Sequence, residues 1–330
     1  MKIKKFFLGM SLLAGAGLWT GCSNDEVVDT SGGKQPISFH VQGGMPTLRS
    51  TATTLPYVNA FVVYGTDNQA APNNINIFDG ITVARQAAPN DGFDYNPKKY
   101  YTANATDAEF AAYSPVSAKI TDAAIFEYGT GLSFNYEVLA PDATGNTTQE
   151  DLLVAGTTVV PSTTDVLLEF KHALSRIFVK ASNNLSETVT ITGLTLKNLN
   201  STGTITVSPP TRSLSWSNLD DLTDYGYVLA PSGVAVAANL STATLVTSME
   251  QGMMILPQPI ADFALEVTYD VANLTNQKAD ILLDNVAIPE FEAGKQYAIT
   301  IAFGGSVTLI EINFTVDVTP FQDIVDATLP

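Results

Sequence analysis

The sequence predicts an all-β fold built from antiparallel sandwiches, on three observations. Apolar residues recur at every second position over many short runs, the mark of a strand with one face in a core. Those runs are bounded by Gly, Pro and Asn clusters, and no segment sustains the 3.6-residue period of a helix. Only 15% of the 330 residues are charged, against roughly 25% in ordinary soluble chains. Thr, Val, Ala and Asn are abundant instead, a composition suited to extracellular β structure.

Residues 1–21 read as a secretory signal. Lys2, Lys4 and Lys5 form a basic start, and Phe6 to Leu18 is an apolar run shorter than a membrane span. Trp19-Thr20-Gly21-Cys22 then sets small residues before the only Cys of the chain. That spacing resembles a bacterial lipobox, with Trp19 where an aliphatic residue is usual, so Cys22 is the expected lipidation site. Residues 22–35 are polar, acidic and Gly-rich and read as a flexible tether. Within it, Ser23-Asn24-Asp25-Glu26 resembles the signal that carries Bacteroidales lipoproteins to the outer face of the outer membrane.

Beyond the tether, strands are expected at 36–41, 57–64, 110–113, 152–155, 188–196, 226–229 and 253–256. Phe263, Leu265, Val267, Tyr269 and Val271 give the clearest alternation. Tyr297, Ile299, Ile301 and Phe303 repeat it, and so do Ile310, Ile312, Phe314, Val316 and Val318. Between residues 166 and 180 the apolar phase slips. Val166, Leu168, Phe170 and Leu174 share one face, Ile177 and Val179 the other, as a bulge or a crossing between sheets near Ser175 requires. Residues 140–150 and 198–224, rich in Asn, Thr, Asp and Ser, read as loops. A change of texture at Pro161-Ser162-Thr163-Thr164 divides an N-terminal β-sandwich domain, 36–164, from a C-terminal one, 165–330.

Little in the chain carries chemistry. His40 and His172 are the only histidines, so a metal site of imidazoles and thiolates lacks ligands. His172 lies in a strand segment, where an imidazole bonded to a neighbouring strand is expected in preference to a Ser-His-Asp system. Asp220, Asp221 and Asp224 form the one tight acidic group, without the spacing of a calcium loop. The Gly-Gly pairs precede no helix and make no phosphate loop. No catalytic, metal-binding or cofactor-binding residue is therefore expected, and the chain is not expected to be an enzyme. Loss of the three Lys in residues 1–21 takes the formal charge from −17 to −20 and leaves no basic cluster. Nucleic acid and anionic headgroups are excluded as partners on that ground.

Five segments, taken in order, resemble the fimbrillin family of Bacteroidales across essentially the whole chain. They are Tyr57-Val-Asn-Ala-Phe-Val-Val-Tyr64-Gly65, Phe110-Ala-Ala-Tyr113-Ser-Pro115, Phe170-Lys-His172-Ala-Leu174-Ser-Arg176-Ile177, Leu256-Pro257-Gln258 and Gly294-Lys295-Gln296-Tyr297. The resemblance implies two β-sandwich domains of transthyretin-like type and passage to the cell surface as an outer-membrane lipoprotein. It also implies assembly with other fimbrial subunits, as a homopolymer, into adhesive extracellular fimbriae.

A maturation protease is implied as well, cutting after an Arg near the mature N-terminus and releasing the first strand. Arg49, followed by Ser50 in a Thr-rich, turn-like stretch, is the first Arg of the chain and the residue that matches. The groove so opened would accept a strand of another subunit. The best donor is 310–321, with Ile310, Ile312, Phe314, Val316 and Val318 filling pockets; the same sequence suits an ordinary final strand of its own domain. Residues 322–330 read as a flexible acidic end. A stalk subunit fits these features best. The alternative is a lipid-anchored binding protein, or a pilus anchor or tip subunit, that captures glycan or a host protein without polymerising. Trp216, Tyr225 and Tyr227 would then be the aromatic side chains that stack on a sugar.

Overall fold

The period-two alternation is realised as strand after strand, and the described residues contain no helix. The computed structural model describes residues 35–43, 58–68, 74–87, 92–139, 149–227, 229–247, 252–260, 262–283, 288–306 and 309–320. The signal segment, Cys22, the tether before Gln35, Arg49, Ser50 and the acidic end lie outside the described residues. The described chain builds β1 (Phe39–Gly43), β2 (Ala60–Asn68), β3 (Ile75–Arg85), β4 (Phe93–Asp94), β5 (Asp107–Ser114), β6 (Ile125–Glu127) and β7 (Gly131–Glu137). It continues with β8 (Leu153–Val159), β9 (Val166–His172), β10 (Ser175–Asn183), β11 (Val189–Ser208), β12 (Ser213–Tyr227), β13 (Val234–Val236) and β14 (Leu240–Leu245). The last elements are β15 (Met253–Ile255), β16 (Gln258–Pro259), β17 (Ala264–Val271), β18 (Leu274–Leu282), β19 (Glu290–Phe291), β20 (Lys295–Ser306) and β21 (Leu309–Pro320).

Seven strands make the first sheet, in the order β1-β9-β8-β5-β2-β3-β4. Its central strands β2 and β5 are buried on both faces, which is why they read as continuous apolar runs. Phe61, Val63 and Phe110 enter one core, and Val62, Tyr64, Ala111 and Tyr113 enter another. The sheet curls until its two edges meet. At that seam Ile37 N–H donates to Lys99 O at 2.9 Å, and the Tyr95 hydroxyl donates to Ile37 O at 2.6 Å.

A second core is enclosed by two further sheets. One has the order β18-β17-β11-β7-β6, with β12 and β13 also paired to β11; the other has the order β14-β10-β20-β21, with β15 on β10. Leu265, Val267 and Tyr269 of β17 meet Tyr297, Ile299, Ile301 and Phe303 of β20 in this core, with the Tyr269 and Phe303 rings 5.1 Å apart. The ribbon β16-β19 adds Phe291, whose ring stands edge-on to Phe263 and Tyr297. The ladders are antiparallel except for β1 on β9 and β10 on β20, which are parallel.

Residues 198–224 are not the expected loop. They carry most of the long β11–β12 hairpin, whose register shifts at two places. Asn198, Asn218 and Asp221, at or beside those shifts, adopt φ of 61°, 50° and 59°. Asn and Asp are the non-glycine residues that best tolerate such a conformation, so the loop-like composition reflects bulges within strands. The phase slip near Ser175 is a crossing between sheets: β9 leaves the first sheet at His172, and β10 joins the sheet of β20 from Ser175. The Pro161 to Thr164 stretch accordingly falls between β8 and β9, two paired strands of the first sheet. β6 and β7, earlier in sequence, belong to the sheet of β11.

Candidate assembly site: the first and last strands

Ile37-Ser38-Phe39-His40-Val41 alternates in the simplest way. Ile37, Phe39 and Val41 are buried, while His40 and Gln42 are exposed and Ser38 is half-buried. β1 is an edge strand that runs parallel to β9, with Phe39 opposite Val166, His40 opposite Leu167 and Val41 opposite Leu168. Val166 N–H donates to Ser38 O at 2.8 Å, and the Ser38 hydroxyl donates to the Asp165 carboxylate.

Phe39, 4% exposed, is the centre of an aromatic cluster. The rings of Phe61, Phe78, Tyr95 and Phe110 surround it at centroid distances of 5.8, 5.4, 6.0 and 5.9 Å, all in edge-to-face geometry, the arrangement that ring quadrupoles favour. Burial pushes the Tyr95 hydroxyl up to about 12, so it stays a neutral donor to Ile37 O at any physiological pH. Gly65 lets this cluster close: a Cβ there would lie 2.6 Å from the Phe110 ring.

β1 is thus held by one ladder, one seam and one row of side chains. Its departure would uncover an aromatic groove together with the unpaired main-chain edge of β9, a surface that binds an added strand.

β21 is the other relevant edge. It pairs antiparallel with β20 from Lys295 opposite Pro320 to Ser306 opposite Leu309. Ile310, Ile312, Phe314 and Val316 pack half-buried against the second core, whereas Val318 is 41% exposed. The ladder is unbroken, and none of residues 309–320 has a positive φ. β12, by contrast, carries bulges and left-handed residues of the kind that discourage edge pairing.

The remaining residues singled out from the sequence have structural partners. His172 Nδ1 and Asp151 Oδ2 lie 2.8 Å apart across the β8–β9 end of the first sheet. Asp220 Oδ1 accepts from Asp221 N–H at 2.8 Å and Asp224 Oδ1 from Asn198 N–H at 3.2 Å. Among the described residues, no three His, Cys, Asp or Glu side chains converge to hold a metal ion. Tyr225 is 1% exposed and its hydroxyl donates to Val138 O at 2.9 Å. The Trp216 indole N–H donates to Ala173 O at 2.8 Å, and its ring stands edge-on to Tyr136. Tyr225 is therefore no platform for a sugar, and Trp216 is committed to packing the β11–β12 hairpin.

Tyr95 and the seam it closes were not legible beforehand. The signal available was the Phe93, Tyr95 alternation beside a Pro-bounded turn.

The model of the fimbrillin-like family matches residues 49–320. No curated protein matches the chain. Among solved structures it is similar to a fimbrial protein from Bacteroides vulgatus, 14% identical over 87% of this chain and 99% of that one, with a TM-score of 0.61. It is also similar to candidate cell adhesion proteins from Parabacteroides distasonis and Bacteroides ovatus. The first is 10% identical over 88% of this chain and 98% of that one, with a TM-score of 0.53. The second is 14% identical over 89% and 99%, with a TM-score of 0.52.

Proposed function

The chain belongs to the fimbrillin-like family, and from that premise we propose that it is a stalk subunit of a surface fimbria, polymerised by strand donation. Membership makes it a structural, non-enzymatic protein of cell-surface fimbriae that associates with other fimbrial subunits. In the proposed sequence of events the protein is exported as a lipoprotein anchored through Cys22 in the outer membrane. A protease then cuts after Arg49, β1 departs with the released segment, and β21 of another subunit enters the vacated groove. Two domains of transthyretin-like type belong to the same proposal.

One observation carries it: β1 is an edge strand whose Phe39 and Val41, with Ile37 just ahead of them, plug an aromatic core. A strand so placed fills a core that another strand of like pattern can fill, at little cost to the rest of the sheet. The donor is supported by the half-buried, unbulged edge position of β21. The burial of Tyr225 and the packing of Trp216 count against the anchored glycan-binding alternative.

Native trypsin treatment of residues 23–330, followed by intact mass and size-exclusion chromatography, tests the proposal. The expected result is one early cut after Arg49, then growth of large species that disappear when residues 310–330 are deleted. A trimmed protein that stays monomeric with β1 bound would sink the stalk reading and favour an anchored subunit.

A further inference from the structure

The segment 37–41, which leads into β1, shares a five-residue pattern with β21. Ile37-Ser38-Phe39-His40-Val41 and Ile312-Asn313-Phe314-Thr315-Val316 have the same apolar residue at each of three alternate positions and polar residues between. Sliding β21 by two residues in either direction destroys the match, because Ile312 or Val316 would then face the place of Phe39.

We infer that the groove accepts β21 of a second copy of this chain in one register only, parallel to β9. Ile312 takes the place of Ile37, Phe314 that of Phe39 and Val316 that of Val41. This rests on the strand-donation reading above and adds the register, the pocket assignment and the identity of the partner.

The surroundings of β1 fit the substitution at the Phe39 pocket and at the seam. The pocket walled by Phe61, Phe78, Tyr95 and Phe110 holds a phenyl ring edge-on, and Phe314 restores it where an aliphatic side chain leaves a gap. Ile312 offers the same main-chain N–H and C=O to Lys99 O and the Tyr95 hydroxyl that Ile37 now satisfies. Asn313 stands where the Ser38 hydroxyl donates to Asp165, and its amide can donate there instead. Asp317 takes the place of Gln42 opposite Glu169, a like-charge pair that works against the exchange and is lessened by Arg212, which holds the Glu169 carboxylate at 2.7 Å. Ile310 and Val318 fall at the positions of Gln35 and Gly43, outside the three pockets.

Burial favours the transfer. Ile312, Phe314 and Val316 are only half-buried on β20, whereas Ile37, Phe39 and Val41 are buried, so these three side chains are withdrawn further from water in the groove than on β20. The shared pattern also explains why an untrimmed subunit would not accept a partner: its groove already holds the same three side chains.

Disulfide trapping tests the register. The full chain with Cys22→Ser and Leu167→Cys is combined in turn with Asn313→Cys, Thr315→Cys or Asp317→Cys, trimmed and oxidised. His40 faces Leu167, so the Thr315→Cys chain is expected to give intermolecular cross-links at least about tenfold more efficiently than the other two, as the narrow Cα separation allowed to a disulfide requires. Polymers that cross-link best through position 313 or 317 would overturn the register while leaving strand donation intact. Chains that form neither polymers nor cross-links would overturn both. Independently, Phe314→Ala should slow polymer growth at least about tenfold and Val318→Ala less than about twofold, given the cavity left in a closed aromatic pocket; equal slowing would refute the pocket assignment.

Discussion

The Tyr95 hydroxyl donates a 2.6 Å hydrogen bond to the carbonyl oxygen of Ile37. That bond joins the residue just past β4, at one edge of the first sheet, to the second residue before β1, at the other. It closes the curled sheet over Phe39, and Tyr95 supplies one wall of the pocket as well. Tyr95→Phe keeps the wall and removes the bond, leaving a buried carbonyl without that donor. It should lower stability by about 1–2 kcal/mol, read as a lower urea midpoint with an unchanged slope. An unchanged midpoint would mean that the seam is held by the Ile37 to Lys99 ladder alone.

The same hydroxyl predicts a base-sensitive seam. Burial, the largest cause, raises Tyr95 from 10.0 to about 12. A group whose folded pKa is raised stabilises the fold fully below its unfolded pKa and loses that contribution as pH rises through the folded one. Stability should hold up to pH 10 and fall between pH 10 and about 12. Tyr95→Phe should show a shallower decline in the same window, the remainder coming from the other tyrosines that burial raises: Tyr101, Tyr113 and Tyr128, each to about 12, and Tyr64, Tyr136, Tyr225, Tyr269 and Tyr297. Identical pH profiles for the two proteins would remove Tyr95 from the account.

Gly65 is a packing residue. Its Cβ position lies 2.6 Å from one Phe110 ring atom and 3.3 Å from Phe78, and both rings touch Phe39. Gly65→Ala should therefore displace Phe110 and cost about 1–3 kcal/mol by overpacking, seen as a lower melting temperature. Gly226, with nothing within 4 Å of a Cβ, is the control, and Gly226→Ala should change stability far less.

Trp216 was a candidate for sugar stacking on sequence and is a packing residue in the fold. Trp216→Phe retains an aromatic ring near Tyr136 but loses the bond to Ala173 O. The expected cost is about 1–2 kcal/mol of stability, measured by denaturant titration. A loss of glycan binding on an array with stability unchanged would reverse that assignment.

The legible parts of the fold were those where one rule acts alone. In Phe263–Val271 and Tyr297–Phe303, one face meets a core and the other meets solvent, so the alternation gives the inward residues directly. The all-β class follows from many such runs. The β11–β12 hairpin was hidden because its bulges recruit Asn and Asp, the same residues that make loops. β7 was missed although Leu132-Ser-Phe134-Asn-Tyr136 alternates as β17 does, whereas β18 is mostly exposed and polar and has little apolar alternation to reveal it. At the assembly site, Ile37, Phe39 and Val41 announced a strand, but nothing local names the rings around Phe39. Those come from β2, β3, β5 and the turn after β4, brought together by pairing that sequence spacing does not encode.

Phe39→Ala separates local from global roles of β1. Truncating a ring enclosed by four others removes its transfer free energy and leaves a cavity, a cost of about 3–5 kcal/mol. Because β1 touches the molecule through β9, the seam and the first core only, that cost should appear as local opening before global unfolding. Native-state hydrogen exchange is the measurement. Amides of β1 should lose protection by orders of magnitude and those of β9 in part, while β17 and β20, in the second core, keep theirs. Phe39→Leu, which refills part of the pocket, should give an intermediate result. If protection fell by the same factor in β1, β17 and β20, β1 would be an inseparable part of the whole fold, and strand release after trimming would lose its structural basis.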